Sequence, residues 1–195
     1  MGIGKFELQV AQQHAEQILQ HILPAMHRME IAGSIRRRKS IVGDIELVGI
    51  PADRSRMLIL LSEVGQFIKP GVPGVVPWAP KLMSKYVRMR LPSGMNLDLF
   101  LGTPQNWGGL FMMRTGSASG SDGNTFNGFV PRIFKRWKVL SGGGRMTDAM
   151  PTTPSGEQLH VPEESDFFHL LKMDFVPPEL RADHKVISRF LRSTQ

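Results

Sequence analysis

Between residues 6 and 23 the apolar positions Val10 or Ala11, Ala15, Ile18, Leu19 and Ile22 recur at steps of three and four. That spacing predicts an amphipathic helix, ended at Pro24. Met29-Glu30-Ile31-Ala32 reads as a short strand running into Gly33. From Asp44 to Gly49 the period changes to two, which predicts a strand with Ile45 and Leu47 facing a core. Asp53 or Ser55 is placed to cap a following helix, on which Met57, Leu60, Leu61, Val64 and Ile68 keep helical spacing. The proline-rich residues 69–80 read as a loop. Residues 86–91 and 95–101 alternate on either side of Pro92-Ser93-Gly94 and predict a hairpin.

The second half of the chain is patterned differently. Residues 102–128 are glycine-rich and include Ser117-Ala118-Ser119-Gly120-Ser121-Asp122-Gly123, which predicts a flexible loop and a lobe boundary. Phe129, Ile133, Phe134 and Trp137 then hold helical spacing, with Arg132, Lys135, Arg136 and Lys138 elsewhere on that helix. Gly142-Gly143-Gly144 reads as a turn with short strands on both sides. A helix is expected from Pro162-Glu163-Glu164 through Phe168 and Leu171, and a short one ends at Leu191 after Pro177-Pro178-Glu179-Leu180-Arg181. The expected class is α+β, with a lobe boundary within residues 102–128.

The chemistry concentrates on the strand at Asp44. Asp44 and Glu46 lie two apart and point the same way, and two like charges side by side are costly without a cation between them. Upstream, Gly33-Ser34 opens a basic segment with Arg36, Arg37, Arg38 and Lys39, suited to holding an anion. Asp98 stands in the apolar strand Leu97-Asp98-Leu99-Phe100-Leu101. It is either a charge on an exposed sheet face or a third carboxylate meeting the first two. A divalent-metal site beside a phosphate site is the equipment of phosphoryl or nucleotidyl transfer.

Charge adds to this. Lysine and arginine number 24 against 17 acids, a formal net charge of +7, which favours a polyanionic partner over a merely solvated basic surface. The absence of cysteine excludes disulfides and thiolate metal sites. No apolar run suits a signal peptide or a membrane span, so the expectation is a soluble protein of a reducing or unspecified compartment, not secreted and without a membrane partner. His14 and His21 read as surface residues.

Taken together these residues resemble the DNA polymerase X family, the group that includes DNA polymerase beta. The Gly33-Ser34 and Asp44-x-Glu46 pattern, Leu97-Asp98-Leu99-Phe100, Arg114-Thr115-Gly116-Ser117, Phe126-Asn127, and Gly156-Glu157-Gln158-Leu159 with Pro177-Pro178-Glu179-Leu180-Arg181 occur in the family's order and span nearly the whole chain. The resemblance implies a nucleotidyltransferase palm, a mixed β-sheet with flanking helices, over residues 1–105. A small α/β nucleotide- and template-binding lobe would follow over 106–195. The family's lyase domain has no counterpart before Gly33, and no lyase activity is expected. The pattern looks like the minimal members of the family found in some viruses, which implies a cytoplasmic location or the interior of a viral host cell.

By that resemblance Asp44, Glu46 and Asp98 are catalytic and hold two magnesium ions, which manganese would replace. Asp98 would be the base for, or a metal ligand beside, the primer 3′-hydroxyl. Gly33, Ser34, Arg37, Lys5, Gly116 and Asn127 would bind the nucleoside triphosphate, and Arg132, Lys135 and Arg136 the DNA. The implied activity is template-directed addition of deoxynucleotides to a primer on gapped or primed DNA, as in gap-filling DNA repair, by a monomer. Glu46 departs from the commoner aspartate. Met113-Arg114 replaces an aromatic pair that helps exclude ribonucleotides, which implies weaker sugar discrimination. Two other readings stand beside it: a nucleotidyltransferase acting on RNA ends, a protein or a small molecule, and a non-catalytic nucleic-acid-binding module.

Overall fold

A computed structural model describes residues 4–120 and 123–192; Ser121 and Asp122 of the expected glycine-rich loop lie outside the described residues. The fold is α+β, with a mixed five-stranded sheet flanked by helices. The chain forms two compact units that divide between Gly102 and Thr103.

In the first unit, a short strand β1 (Phe6–Glu7) precedes helix α1 (Leu8–Ile22). The predicted helix therefore begins two residues late, because Phe6 and Glu7 pair with β3 (Ile41–Val42). Of the two apolar registers open at its start, Ala11 is the buried one and Val10 is exposed. Pro24 sits in a 3-10 turn (Leu23–Ala25) that leads into β2 (Met26–Ile31). A one-turn helix α2 (Gly33–Arg36) joins β2 to β3, and β4 (Asp44–Pro51) follows. Helix α3 (Arg54–Val64) is capped by Asp53, whose side chain accepts a hydrogen bond from Arg56 N–H at 2.9 Å.

Helix α3 stops short of Ile68. A β-carbon on Gly65 would fall 2.7 Å from the Arg90 carbonyl oxygen, so glycine lets the chain approach the sheet there and continue as strand β5 (Gln66–Phe67). Strands β6 (Tyr86–Arg90) and β7 (Asn96–Leu101) form the expected hairpin.

The sheet order is β2-β4-β7-β6-β5. All neighbours are antiparallel except β4 and β7, which run parallel. One face carries Ile45, Leu47, Val87, Met89, Leu97, Leu99 and Leu101, packed with Ala11, Ala15, Ile18 and Ile22 of α1 and Met57 and Leu61 of α3. All of these are buried, and each fully buried aliphatic side chain contributes roughly 1.5–3 kcal/mol. The alternation that puts leucines on this face puts Asp44, Glu46, Asp98 and their neighbours on the other.

The second unit corrects the sequence reading. Much of residues 102–128 is not loop: helix α4 (Trp107–Thr115) is almost entirely buried. Its glycines serve contact. A β-carbon at Gly108 would strike the Glu163 backbone, and one at Gly109 the Ala149 carbonyl. Helix α5 (Phe129–Leu140) buries Phe129, Ile133 and Trp137 as its spacing predicts. The triple glycine has a strand on one side only. β8 (Arg145–Thr147) pairs with β9 (Met150–Thr152), while α5 lies before the turn. Helix α6 (Glu164–Leu170) starts with a reciprocal cap between Glu163 and Asp166, and 3-10 turns (Pro178–Leu180, His184–Phe190) complete the chain.

Candidate active site

The site residues of the first unit are placed by strand register. Parallel pairing of β4 with β7 sets Glu46 directly beside Asp98 and Asp44 beside Asn96. Paired residues on adjacent strands share a face, so all three acids stand on the face opposite the leucine core. Asp98 is 6% exposed, and Asp44 and Glu46 are half-buried. Of the two readings of Asp98, the structure excludes the exposed charge.

Two basic side chains lie among these acids. Strand β6 sets Arg88 directly across from Asp98, and its Nε is 3.4 Å from Asp98 Oδ1. Tyr86, one step along the same face, donates its hydroxyl to the same Oδ1 at 2.7 Å. The Tyr86 ring stacks on that of Phe100, its partner in the ladder, with centroids 4.8 Å apart. Burial, the hydrogen bond to Asp98 and the charge of Asp98 all push the Tyr86 hydroxyl well above an ordinary phenol, so it stays a donor. Arg37 interacts electrostatically with Glu46 and then Asp44, which oppose the downward pull of burial on its guanidinium. Burial raises the Asp44 carboxyl above the usual range, and the charges of Arg88 and then Arg37 act against it.

The Gly33-Ser34 turn closes this face. Gly33 adopts φ +62°, and a β-carbon there would fall against the Glu46 carboxylate and 3.0 Å from the Glu46 β-carbon. The Ala32 amide donates to the Glu46 carbonyl at 2.8 Å and ties the turn to β4. Gly33→Ala should therefore combine left-handed strain with a clash, costing about 1–2 kcal/mol or more. It should also move Glu46. Chemical denaturation checks the first effect and divalent-cation affinity the second. Ser34 Oγ is buried without a hydrogen-bond partner, an unsatisfied donor facing no protein acceptor. Lys5 is exposed. It precedes Phe6, which pairs with Val42 two residues before Asp44, so the small sheet brings Lys5 near the start of β4.

Hard carboxylate oxygens suit magnesium or manganese. The donor set fits such ions in chemistry and in the face it occupies. Yet among the described residues no three His, Asp or Glu side chains are gathered at one point to hold a metal. The acids are engaged with arginines instead.

The second unit places its own candidates. Gly116 follows α4, and a β-carbon there would meet Phe129 and Val130 of α5 at 2.8 and 2.6 Å. Ser117 locks this turn. Its Oγ donates to the Ala182 carbonyl at 2.8 Å and accepts from the Phe129 amide at 3.0 Å. The Asn127 carbonyl accepts from His184 Nδ1 at 2.8 Å. Arg132, Lys135 and Arg136 line one groove of about 360 Å³ with His184, Ile187 and Leu191. They are not equivalent. Arg136 Nε donates to the Leu171 carbonyl at 2.7 Å, and Arg132 Nε to the Phe126 carbonyl at 3.1 Å, while Lys135 is exposed.

Sequence reasoning missed Tyr86 and Arg88. The signal was present: pairing Arg90 with Asn96 across the Pro92-Ser93-Gly94 turn, and stepping back two, sets Arg88 opposite Asp98.

No protein-family model matches this chain. Nor does any curated protein match it significantly.

Proposed function

We propose that this chain is a template-directed DNA polymerase of the X-family type, adding deoxynucleoside monophosphates to a primer 3′-hydroxyl. The observation that carries the proposal is the register of Glu46 beside Asp98, with Asp44 on the same face and the unsatisfied Ser34 hydroxyl at its edge. Three carboxylates on one sheet face, one of them buried, serve no packing purpose. They suit cations that must be held against a polyphosphate.

In this reading Asp44, Glu46 and Asp98 would hold two magnesium or manganese ions. When bound, the ions lower the pKa of the 3′-hydroxyl and neutralise the departing pyrophosphate. Asp98 receives the hydroxyl proton. Ser34 donates its hydroxyl to a phosphate oxygen, which supplies the acceptor it lacks, and Arg37 and Lys5 add positive charge beside the triphosphate. Gly116 and Asn127 would contact the nucleotide, and the Lys135 groove the DNA. The +7 charge favours such a polyanionic partner. Among the described residues no helix is long and apolar enough to cross a membrane.

The test is primer extension on gapped and primed DNA, with each deoxynucleotide and magnesium or manganese. Template-complementary addition is expected. Addition without regard to template, or only to RNA ends, a protein or a small molecule, would reassign the substrate. No transfer to any of these would leave a binding module.

The groove residues yield a separate expectation. Lys135→Ala should lower the slope of log affinity against log salt by about 0.9 without loss of stability. Arg136→Ala should also destabilise by about 1 kcal/mol, because its Nε holds the end of α6. DNA binding titrated across salt, with denaturation of each variant, checks both.

A further inference from the structure

We propose that Arg88 is a built-in counter-cation of the acid face, one that a divalent ion must displace, so that this residue sets the metal affinity of the site; the inference rests on the metal-site reading above.

Arg88 reaches the acids from β6, the neighbour of β7, and not from the strands that carry them. Ladder pairing fixes its position across from Asp98, and its Nε lies 3.4 Å from Asp98 Oδ1. Its charge also acts on Asp44. Arg37 does the corresponding work at Glu46 and Asp44 from the other side. At least two guanidiniums thus stand against three carboxylates that would otherwise repel across two adjacent strands.

Both arginines are half-buried, and Arg37 interacts with Glu46 and Asp44. The Arg88 side chain is 24% exposed on a long flexible stem, so its head can swing to water. A guanidinium does not shed its proton at any working pH, so it vacates the site by moving, not by titration. A divalent ion approaching Asp98 therefore meets a resident positive charge that either repels it or yields to it. Tyr86 stays in place through its stacking on Phe100 and keeps Asp98 oriented during the exchange.

Removing the charge should tighten metal binding and weaken the metal-free protein. Manganese alone, with no nucleotide or DNA, is titrated against wild type, Arg88→Gln, Arg88→Lys and Asp98→Asn, with free Mn²⁺ followed by electron paramagnetic resonance. Arg88→Gln should bind about tenfold more tightly or better, since one nearby unit charge is lost. Arg88→Lys, which keeps the charge, should stay near wild type. In thermal melts, Arg88→Gln should be less stable than wild type without metal and should recover more of that loss on adding Mn²⁺. Equal or weaker Mn²⁺ affinity in Arg88→Gln, with wild-type binding that Asp98→Asn removes, overturns the counter-cation role alone. Binding in wild type that Asp98→Asn leaves unchanged, or no binding at all, overturns the metal-site reading and this inference with it. An Arg88→Lys protein as tight as Arg88→Gln would point to shape instead of charge and also overturns it.

Discussion

Asp98→Ala should lower nucleotide addition by about a thousandfold or more, through loss of the group that receives the 3′-hydroxyl proton and helps hold the ions. The fold should survive, because the leucines that flank Asp98 point to the other face and remain packed. It should not survive unchanged. Tyr86 donates its hydroxyl to Asp98, and Arg88 pairs with the same oxygen, so alanine removes the acceptor of both. The expected loss is about 1–3 kcal/mol. Asp98→Asn is the cleaner variant: its side-chain oxygen still accepts from Tyr86, yet it is neither a base nor a charged ligand. Both variants should be inactive, the asparagine form with stability nearer wild type. Rates are read by single-nucleotide insertion, and stability by denaturation. Extension at near wild-type rate by either folded variant, or extension in excess chelator, would sink the assignment.

The acid face shows what a sequence can and cannot specify. Asp44 and Glu46 share a side because strand geometry alternates, and period two at Ile45 and Leu47 makes that legible from six residues. Asp98 was visible as a charge in an apolar strand. Its meeting with Asp44 and Glu46 was one of two readings, and the resemblance favoured it; the register was not legible, because nothing local in residues 44–51 or 96–101 encodes that these strands pair in parallel, with Glu46 beside Asp98. Arg88 lay within reach of hairpin arithmetic, since a turn fixes register across it.

The second unit was read less well for a different reason. Gly108 and Gly109 look like loop punctuation in the sequence. In the fold they let α4 press against the backbone at Glu163 and Ala149, a use of glycine that depends on residues some forty or more positions away. Ile68 misled in the same way: its spacing continues a helix that Gly65 has already ended. Apolar periodicity reports which residues are buried more faithfully than it reports which element buries them.

The ion pair inside the second unit gives the largest stability effect expected among the described residues. Arg181 is fully buried. Its Nη1 is 2.6 Å from Glu164 Oε1, its Nη2 is 3.3 Å from Glu164 Oε2, and its Nε donates to the Val176 carbonyl at 2.8 Å. The rings of Phe168 and Phe175 lie 5.0 Å from its guanidinium carbon. The pair therefore ties α6 to the last turns, and the Arg181 carbonyl accepts the Ser117 amide at 3.0 Å, which carries the tie to the Gly116 turn. Glu164→Gln keeps the shape but leaves a buried guanidinium without its countercharge, at a cost of about 3–5 kcal/mol. Against a typical total of about 5–15 kcal/mol, that is enough to leave this unit partly unfolded at growth temperature. Apolar replacement of both partners, Glu164→Leu with Arg181→Met, should recover most of the loss, because desolvation of two charges then disappears along with their attraction. Denaturation midpoints for the single and double variants decide it. A single variant within about 1 kcal/mol of wild type would show that the guanidinium finds water or another acceptor, and that the two aromatic rings, not Glu164, hold Arg181 in place.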